Sequence, residues 1–471
     1  MVKRMGMISS LLLLAAASFG AAEQVFYPVE SAAPGEWFLR SEVSGRGKYE
    51  KHYLDRLDKL APPNERAAFA DALLRTMDEV ATSNREEDAA IEKALGWRPG
   101  DFTFHISRFY WRTGCTSWMV MPDASATGTV MLQKNRDYGG QNLLSIRIFR
   151  AMPGRYKVVT VGDLWNSGAG AVMNEKGLMI VQNDGPGGEP NPNKYGINCV
   201  YVLRLLAEKC ATAAEAEAML RELHVSGVVR GASIYLIADP DRGFVVEVTG
   251  RRLASAAVGF GFESRANNFL LPGMASFKGA VRAREAFLNG ENRRYTAIGF
   301  FAARLREKGS LSVSDLMECS RLRDPEAEKN KWRQICMKNT IASTMFVPDR
   351  AYPEMLSTTF VAVGPPRHAV YLPVPIGVTE FPEELANGDM GLRAFALREK
   401  IGLDHGNLPR FEALERKLAQ EHFAVCEKAR KLLRDNRRRE AAELLTGNFR
   451  SQFLRVREFM AGELDAAQHA E

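Results

Sequence analysis

Apolar residues fall at helical spacing from Ala67 to Val80, behind a Pro62-Pro63-Asn64 stop that ends one segment and caps the next. A second short helix is predicted over Glu86 to Leu95, closed by Gly96. After Cys115 the pattern changes. Short β-like runs are predicted at Thr129–Gln133, Leu144–Phe149, Tyr156–Val161, Leu178–Val181, Ser233–Ile237 and Phe244–Val248, split by Gly, Asn and Asp turns. Helices are predicted at Val200–Glu208 and Ala213–Leu223, the latter rich in strong helix formers. Thr359–Val363 and Ala369–Leu372 read as late strands, and Phe411–Leu444 returns to helical spacing. Strands interrupted by helix pairs imply an α+β layered fold and argue against a βαβ alternation.

The polar positions add less. Hydrophobic content of 46% and a formal charge of +6 over 471 residues are ordinary for a globular chain. No basic face with interleaved aromatics points to nucleic acid. The charge run Arg434-Asp435-Asn436-Arg437-Arg438-Arg439-Glu440 reads as a solvated helix face. At the N-terminus, Lys3-Arg4, the apolar run Ile8 to Ala17 and the small residues Gly20-Ala21-Ala22 read as a signal peptide over 1–22. The expectation is an exported protein, periplasmic or secreted, with no stable membrane span. Six widely spaced cysteines without a CxxC pair argue against a zinc site, and most read as small buried hydrophobes.

One thiol stands apart. Cys115 follows Gly114 in Thr113-Gly114-Cys115-Thr116-Ser117-Trp118. A free thiol titrates near about 8.5 and needs a base. If the chain is cut between Gly114 and Cys115, the new α-amine, with a pKa near roughly 8, can take the thiol proton itself. Gly114 carries no side chain to block attack of Sγ on its own carbonyl. Asn side chains can donate to a developing oxyanion without charge. A carboxylate such as Asp137 can orient the amine.

Around these residues the chain resembles the penicillin acyltransferase family (isopenicillin-N N-acyltransferase and relatives), kin to choloylglycine hydrolase among the N-terminal-nucleophile (Ntn) cysteine hydrolases. Gly114-Cys115-Thr116 is similar to the family's processing site, which makes Gly114 and Cys115 the autocleavage pair. Lys134-Asn135-Arg136-Asp137-Tyr138 resembles its Arg-Asn-x-Asp-Trp segment and assigns Asp137 to the nucleophile's amine, with Lys134 and Asn135 in support. Met173-Asn174-Glu175-Lys176-Gly177-Leu178 resembles its Met-Asn-Glu-x-Gly-Leu segment, which adds Asn174 as a supporting residue. The resemblance further implies Asn183 and Asn267 at the oxyanion and Arg294 as the supporting arginine. Lys134 in place of Arg, and Ala266 and Asn268 in place of Thr and His, depart from the pattern, so bile-salt specificity is not implied.

The resemblance implies a four-layer αββα Ntn sandwich over 115–380. A helical prosegment over 23–114 would precede it, able to stay associated after release, and a helical extension over 381–471 would follow. The implied activity is hydrolysis or transfer of an acyl group at a linear non-peptide amide of a small molecule, without metal or cofactor. Taken singly, the residues also have plain structural readings: Asp137 in a turn, Asn174 as a strand-end cap, Asn267 satisfying buried backbone, Arg294 in a surface pair. Two rival functions remain. One is a Cys-His hydrolase using His105, His224 or His368 as base. The other is an exported binding protein on the same fold with an uncut, inactive Cys115.

Overall fold

The computed structural model describes residues 26–31, 34–35, 63–109, 114–138, 144–164, 166–186, 195–274, 282–323 and 334–469. The expected signal peptide lies outside them. Seven strands form one antiparallel sheet: β4 (Leu144–Phe149), β5 (Val158–Asp163), β6 (Ala171–Asn174), β7 (Met179–Asp184), β8 (Ser233–Ala238), β9 (Gly243–Val248) and β10 (Leu253–Val258). They lie side by side in chain order, from β4 at one edge to β10 at the other. The second sheet runs β11-β2-β3-β12-β13-β14, built from β2 (Cys115–Val120), β3 (Met131–Asp137), β11 (Phe262–Arg265), β12 (Thr340–Val347), β13 (Thr358–Val363) and β14 (Tyr371–Pro375). A small ribbon pairs β1 (Phe26–Pro28) with β15 (Glu380–Pro382).

Side-chain alternation separates the layers. In β7, Met179 and Val181 join the core shared with the six-stranded sheet, while Ile180 between them faces a second core with the helices. Val159 and Val161 against Val158, and Leu236 against Tyr235 and Ile237, repeat the division in β5 and β8. The second core holds α4 (Cys199–Lys209) and α5 (Ala213–Val225) on the seven-stranded sheet. Beyond the six-stranded sheet lie α6 (Arg282–Lys308), α7 (Val313–Ser320), α9 (Asp389–Ile401), α10 (Leu408–Arg434) and α11 (Arg438–Gln468), with the short α8 (Glu383–Ala386) preceding α9. The result is the expected αββα sandwich.

Two expected boundaries change. The division at 380 cuts through β15, and Phe395, Phe411, Leu418, Phe449 and Phe453 beyond it belong to the main core. The C-terminal helices are therefore the outer layer of the domain. Likewise, α1 (Pro63–Val80), α2 (Thr82–Leu95) and α3 (Asp101–Phe109) place Phe69, Leu73, Met77, Ile91, Phe102 and Phe104 in the second core. Polar ties reinforce the join. Asn84 donates to the Tyr201 carbonyl (3.2 Å), Asn198 to the Ile106 carbonyl (2.9 Å), and Tyr201 and Ser167 to Asp88 (2.5 Å each).

The helical spacing from Phe411 to Leu444 is broken at Asn436, which takes a left-handed φ of 57°. The charge run thus spans the turn between α10 and α11. Arg437, Arg438 and Arg439 pair with Glu440, Glu354 and Glu443 at the surface. None of the six cysteines forms a disulfide, and all are buried. Among the described residues, no helix is long and apolar enough to cross a membrane.

Candidate active site

Cys115 opens β2 and is 1% exposed. The peptide bond before it is held on both sides. The Gly114 carbonyl accepts from the Asp137 amide N–H (2.8 Å), and the Cys115 N–H donates to Asn267 Oδ1 (3.0 Å). A Cβ at residue 114 would lie 3.0 Å from Asp137 Oδ2 and 3.2 Å from Arg293 Nη1, so glycine fits this position and a larger residue crowds it.

Asp137 ends β3 and is fully buried. Its Oδ2 meets Arg293 Nη1 at 2.6 Å and its Oδ1 accepts from the Thr340 hydroxyl at 2.6 Å. Burial pushes the carboxyl above its usual range, and Arg293, Thr340 and the charge of Lys134 pull the other way. Arg293 Nη2 also donates to Asn267 Oδ1 (3.0 Å). With two donors converging on it, that end of the Asn267 amide must be its oxygen. Its nitrogen donates to the Asp184 carbonyl (2.9 Å). Asp137, Arg293, Asn267 and Cys115 therefore form one connected network.

The other expected residues are placed as follows. Lys134, also buried, sends Nζ across the gap between the sheets to the carbonyls of Gly170 (3.2 Å) and Gln182. Asn183 accepts from Ser117 Oγ (2.7 Å) and gives its amide hydrogens to the carbonyls of Arg265 (3.2 Å) and Ala266 (3.0 Å). Both N–H groups are spent on the backbone, so here Asn183 offers an oxyanion no donor. It ties β7 to the strand end that carries Asn267. Near the Gly114 carbonyl the donor is the Asp137 backbone N–H, a group no sequence motif singles out.

Three expected residues make their bonds elsewhere. Arg293, and not Arg294, is the arginine that meets Asp137. Arg294 Nε donates to the Ser264 carbonyl (3.0 Å), and its ion pair with Glu291 is at 3.5 Å. Neighbours on a helix point about 100° apart, so only Arg293 of the pair faces β3. Asn174 caps the β6–β7 hairpin, accepting from Lys176 and Leu178 N–H and donating to the Ala207 and Cys210 carbonyls at the end of α4. Its structural reading is the one observed. Asn135 faces the helical side of β3, where it donates to the Ser320 carbonyl (2.7 Å).

Sequence reasoning missed Arg293, Thr340 and Arg136. The adjacent arginines gave no means of choosing between them, and Thr340 carries no local signal. Arg136 stands directly opposite Cys115 in the β2–β3 register, so the two side chains share a face. It is buried and held by Asp163 at 2.6 Å. Of the candidate bases for a Cys-His pair, His224 bonds the Thr249 carbonyl and His368 the Gly402 carbonyl. Burial pushes His368 down to about 3, which makes it a poor base.

Residues 125–295 match the family model of acyl-coenzyme A:6-aminopenicillanic acid acyl-transferase. The chain resembles the penicillin acyltransferase family. The matched stretch begins after Cys115 and contains Asp137, Asn183, Asn267 and Arg293. Among solved structures, the chain is similar to penicillin V acylase from Agrobacterium tumefaciens at 13% identity, TM-score 0.36, over 56% of this chain and 86% of that one. A conjugated bile acid hydrolase variant from Clostridium perfringens matches at 13% identity, TM-score 0.37, over 53% and 89%. The Caenorhabditis elegans orthologue of N-acylethanolamine-hydrolyzing acid amidase matches at 15% identity, TM-score 0.33, over 51% and 97%. No curated protein sequence matches significantly.

Proposed function

We propose that this chain is an N-terminal-cysteine amidohydrolase or acyltransferase that cuts its own Gly114–Cys115 bond. It then acts on linear, non-peptide amides of small molecules through an acyl thioester at Cys115. The observation that carries this reading is the double restraint on one peptide bond, by Asp137 N–H on the carbonyl and Asn267 Oδ1 on the N–H. The match of residues 125–295 to the acyltransferase family model supports the chemical class.

In the first step Sγ attacks the Gly114 carbonyl carbon. The oxygen gains negative charge and keeps the Asp137 N–H as donor. The C–N bond breaks, the departing nitrogen takes the thiol proton, and a thioester links Gly114 to Sγ. Water then hydrolyses that thioester and leaves a free α-amine on Cys115. In the second step this amine, oriented by Asn267 Oδ1, accepts the thiol proton as Sγ attacks a substrate carbonyl. The proton passes to the leaving amine. Water, or a second amine, releases the acyl group.

The segment before the cut is not expected to leave. Its helices contribute buried aromatics to the second core, and separating them would expose that core. The processed enzyme is therefore a non-covalent pair of fragments. Export is inferred from the N-terminal pattern of residues 1–22.

Purified protein should run as two bands on a denaturing gel, with Cys115 first in the larger fragment, and as one species under native conditions. Cys115→Ala should remain a single chain. A wild-type chain that stays whole on long incubation and resists thiol reagents at Cys115 would favour the binding-protein reading instead.

A further inference from the structure

The two sheets have four edge strands, and three are protected against pairing with another chain. β4 lies under α8, where Ser145 Oγ donates to the Ala386 carbonyl (2.5 Å). β14 carries Pro373 and Pro375, and β11 carries the charges of Glu263 and Arg265. The fourth edge, β10, reads Leu-Ala-Ser-Ala-Ala-Val, with no charge and no proline. Its side chains are partly exposed, and among the described residues its strand neighbour is β9 alone.

The backbone groups on its open side follow from the hairpin. Thr249 N donates to the Arg252 carbonyl (2.8 Å), which makes 249 and 252 a hydrogen-bonded pair. Such pairs alternate along an antiparallel ladder. Ala254, Ala256 and Val258 therefore bond β9, while Leu253, Ser255 and Ala257 turn their N–H and C=O groups outward. Among the described residues this makes a short row of unpaired donors and acceptors.

The ends of the edge are complementary in charge. Arg251, exposed, stands before the strand. The exposed Asp123 carboxylate stands at the other end, where it accepts from the Gly261 N–H (3.0 Å). Phe260, between Gly259 and Gly261, is 82% exposed. A two-fold axis through Ala256 sets Ser255 opposite Ala257, Leu253 opposite Gly259, and Arg251 opposite Gly261 of the other copy. Each Arg251 then meets the Asp123 of its neighbour. Each Phe260 comes to the Gly250–Leu253 end, beside a groove of about 670 Å³ lined by Arg221, Val225, Arg251 and Leu253. Val225 in that groove is 81% exposed.

We propose that β10 pairs antiparallel with β10 of a second copy of this chain, joining the two seven-stranded sheets into one continuous sheet. The charge match applies twice per dimer, and two Phe260 rings leave water, each with about 150–250 Å² of surface.

Sedimentation velocity on the purified full chain tests this, independently of any catalytic reading. Wild type is expected to be a dimer at micromolar concentration. Ser255→Pro removes an outward donor without touching a bond to β9, and should raise the dimer dissociation constant by at least about tenfold. Arg251→Asp and Asp123→Arg should each weaken the dimer, and the double swap should restore most of the loss. A wild-type monomer would overturn the proposal, and so would a dimer indifferent to all these changes. Should Ser255→Pro fail to fold, the surface charge swaps decide the question alone.

Discussion

Replacing Arg293 by leucine should separate its role from that of Arg294. The Asp137 carboxylate is fully buried and meets Arg293 at 2.6 Å, with the arginine side chain itself only 7% exposed. Removing one partner of such a buried pair costs about 3–5 kcal/mol, because the other charge stays desolvated. The same change frees Asn267 Oδ1 from its second donor, so the acceptor of the Cys115 N–H loses its fixed position. Misplacement of a reacting group by about 1 Å can cost on the order of 10²-fold in rate. Arg293→Leu should therefore slow cleavage at Gly114–Cys115 by about that factor. Arg294→Leu breaks partly exposed pairs with Glu291 and Glu263, at 3.5 and 4.0 Å, and the hydrogen bond to the Ser264 carbonyl (3.0 Å), and should cost about 1–2 kcal/mol with cleavage unchanged. The Arg293 defect should also be pH-dependent. Losing the guanidinium raises the Asp137 pKa further, and a neutral carboxyl needs no counter-ion. Stability of the variant should recover as pH falls through that raised value. The assay is a time course of precursor and fragments on denaturing gels, across pH, after refolding each variant. Normal cleavage by Arg293→Leu, or equal damage from Arg294→Leu, would refute the assignment.

Thr340→Val deletes the 2.6 Å hydrogen bond to Asp137 Oδ1 and should cost about 1.5–3 kcal/mol, seen as a lower denaturation midpoint and slower cleavage; an unchanged midpoint counts against it. Asn174→Ala removes the hairpin cap and should lower the melting temperature while cleavage still runs to completion; a stable but uncut variant would return Asn174 to the active site. Burial pushes Asp88 up to about 6 and Glu92 up to about 7, both on α2. Carboxyls raised in the folded state favour folding when protonated, so their cost grows as pH rises from about 4 to 7. The unfolding free energy of the Cys115→Ala chain from urea titration should be larger at pH 5 than at pH 8, by on the order of 3 kcal/mol, and the opposite order would contradict the burial of these groups.

Much of the site was legible because its residues lie in contiguous motifs. The Gly114-Cys115 junction and Asp137 could be read directly, and the structure joins them through one backbone hydrogen bond. Arg293 was not legible. Two adjacent arginines have the same composition and differ only in direction around a helix, which is set by how α6 packs on the sheet. The bonds of the Asn183 amide were not legible for a related reason. Its donors are claimed by the Arg265 and Ala266 carbonyls, which lie more than eighty positions away in the chain.

Local chemistry along the chain determined the two textures, the strand periods, the helix-forming segments and the Gly114-Cys115 junction. These depend on near neighbours, so sequence carries them. Tertiary packing decided the rest. It made the N-terminal helices part of a shared core, turned the charge run into a corner at Asn436, and chose Arg293 over Arg294. Each of those outcomes depends on which surfaces exclude water together, and that is fixed only when distant segments meet.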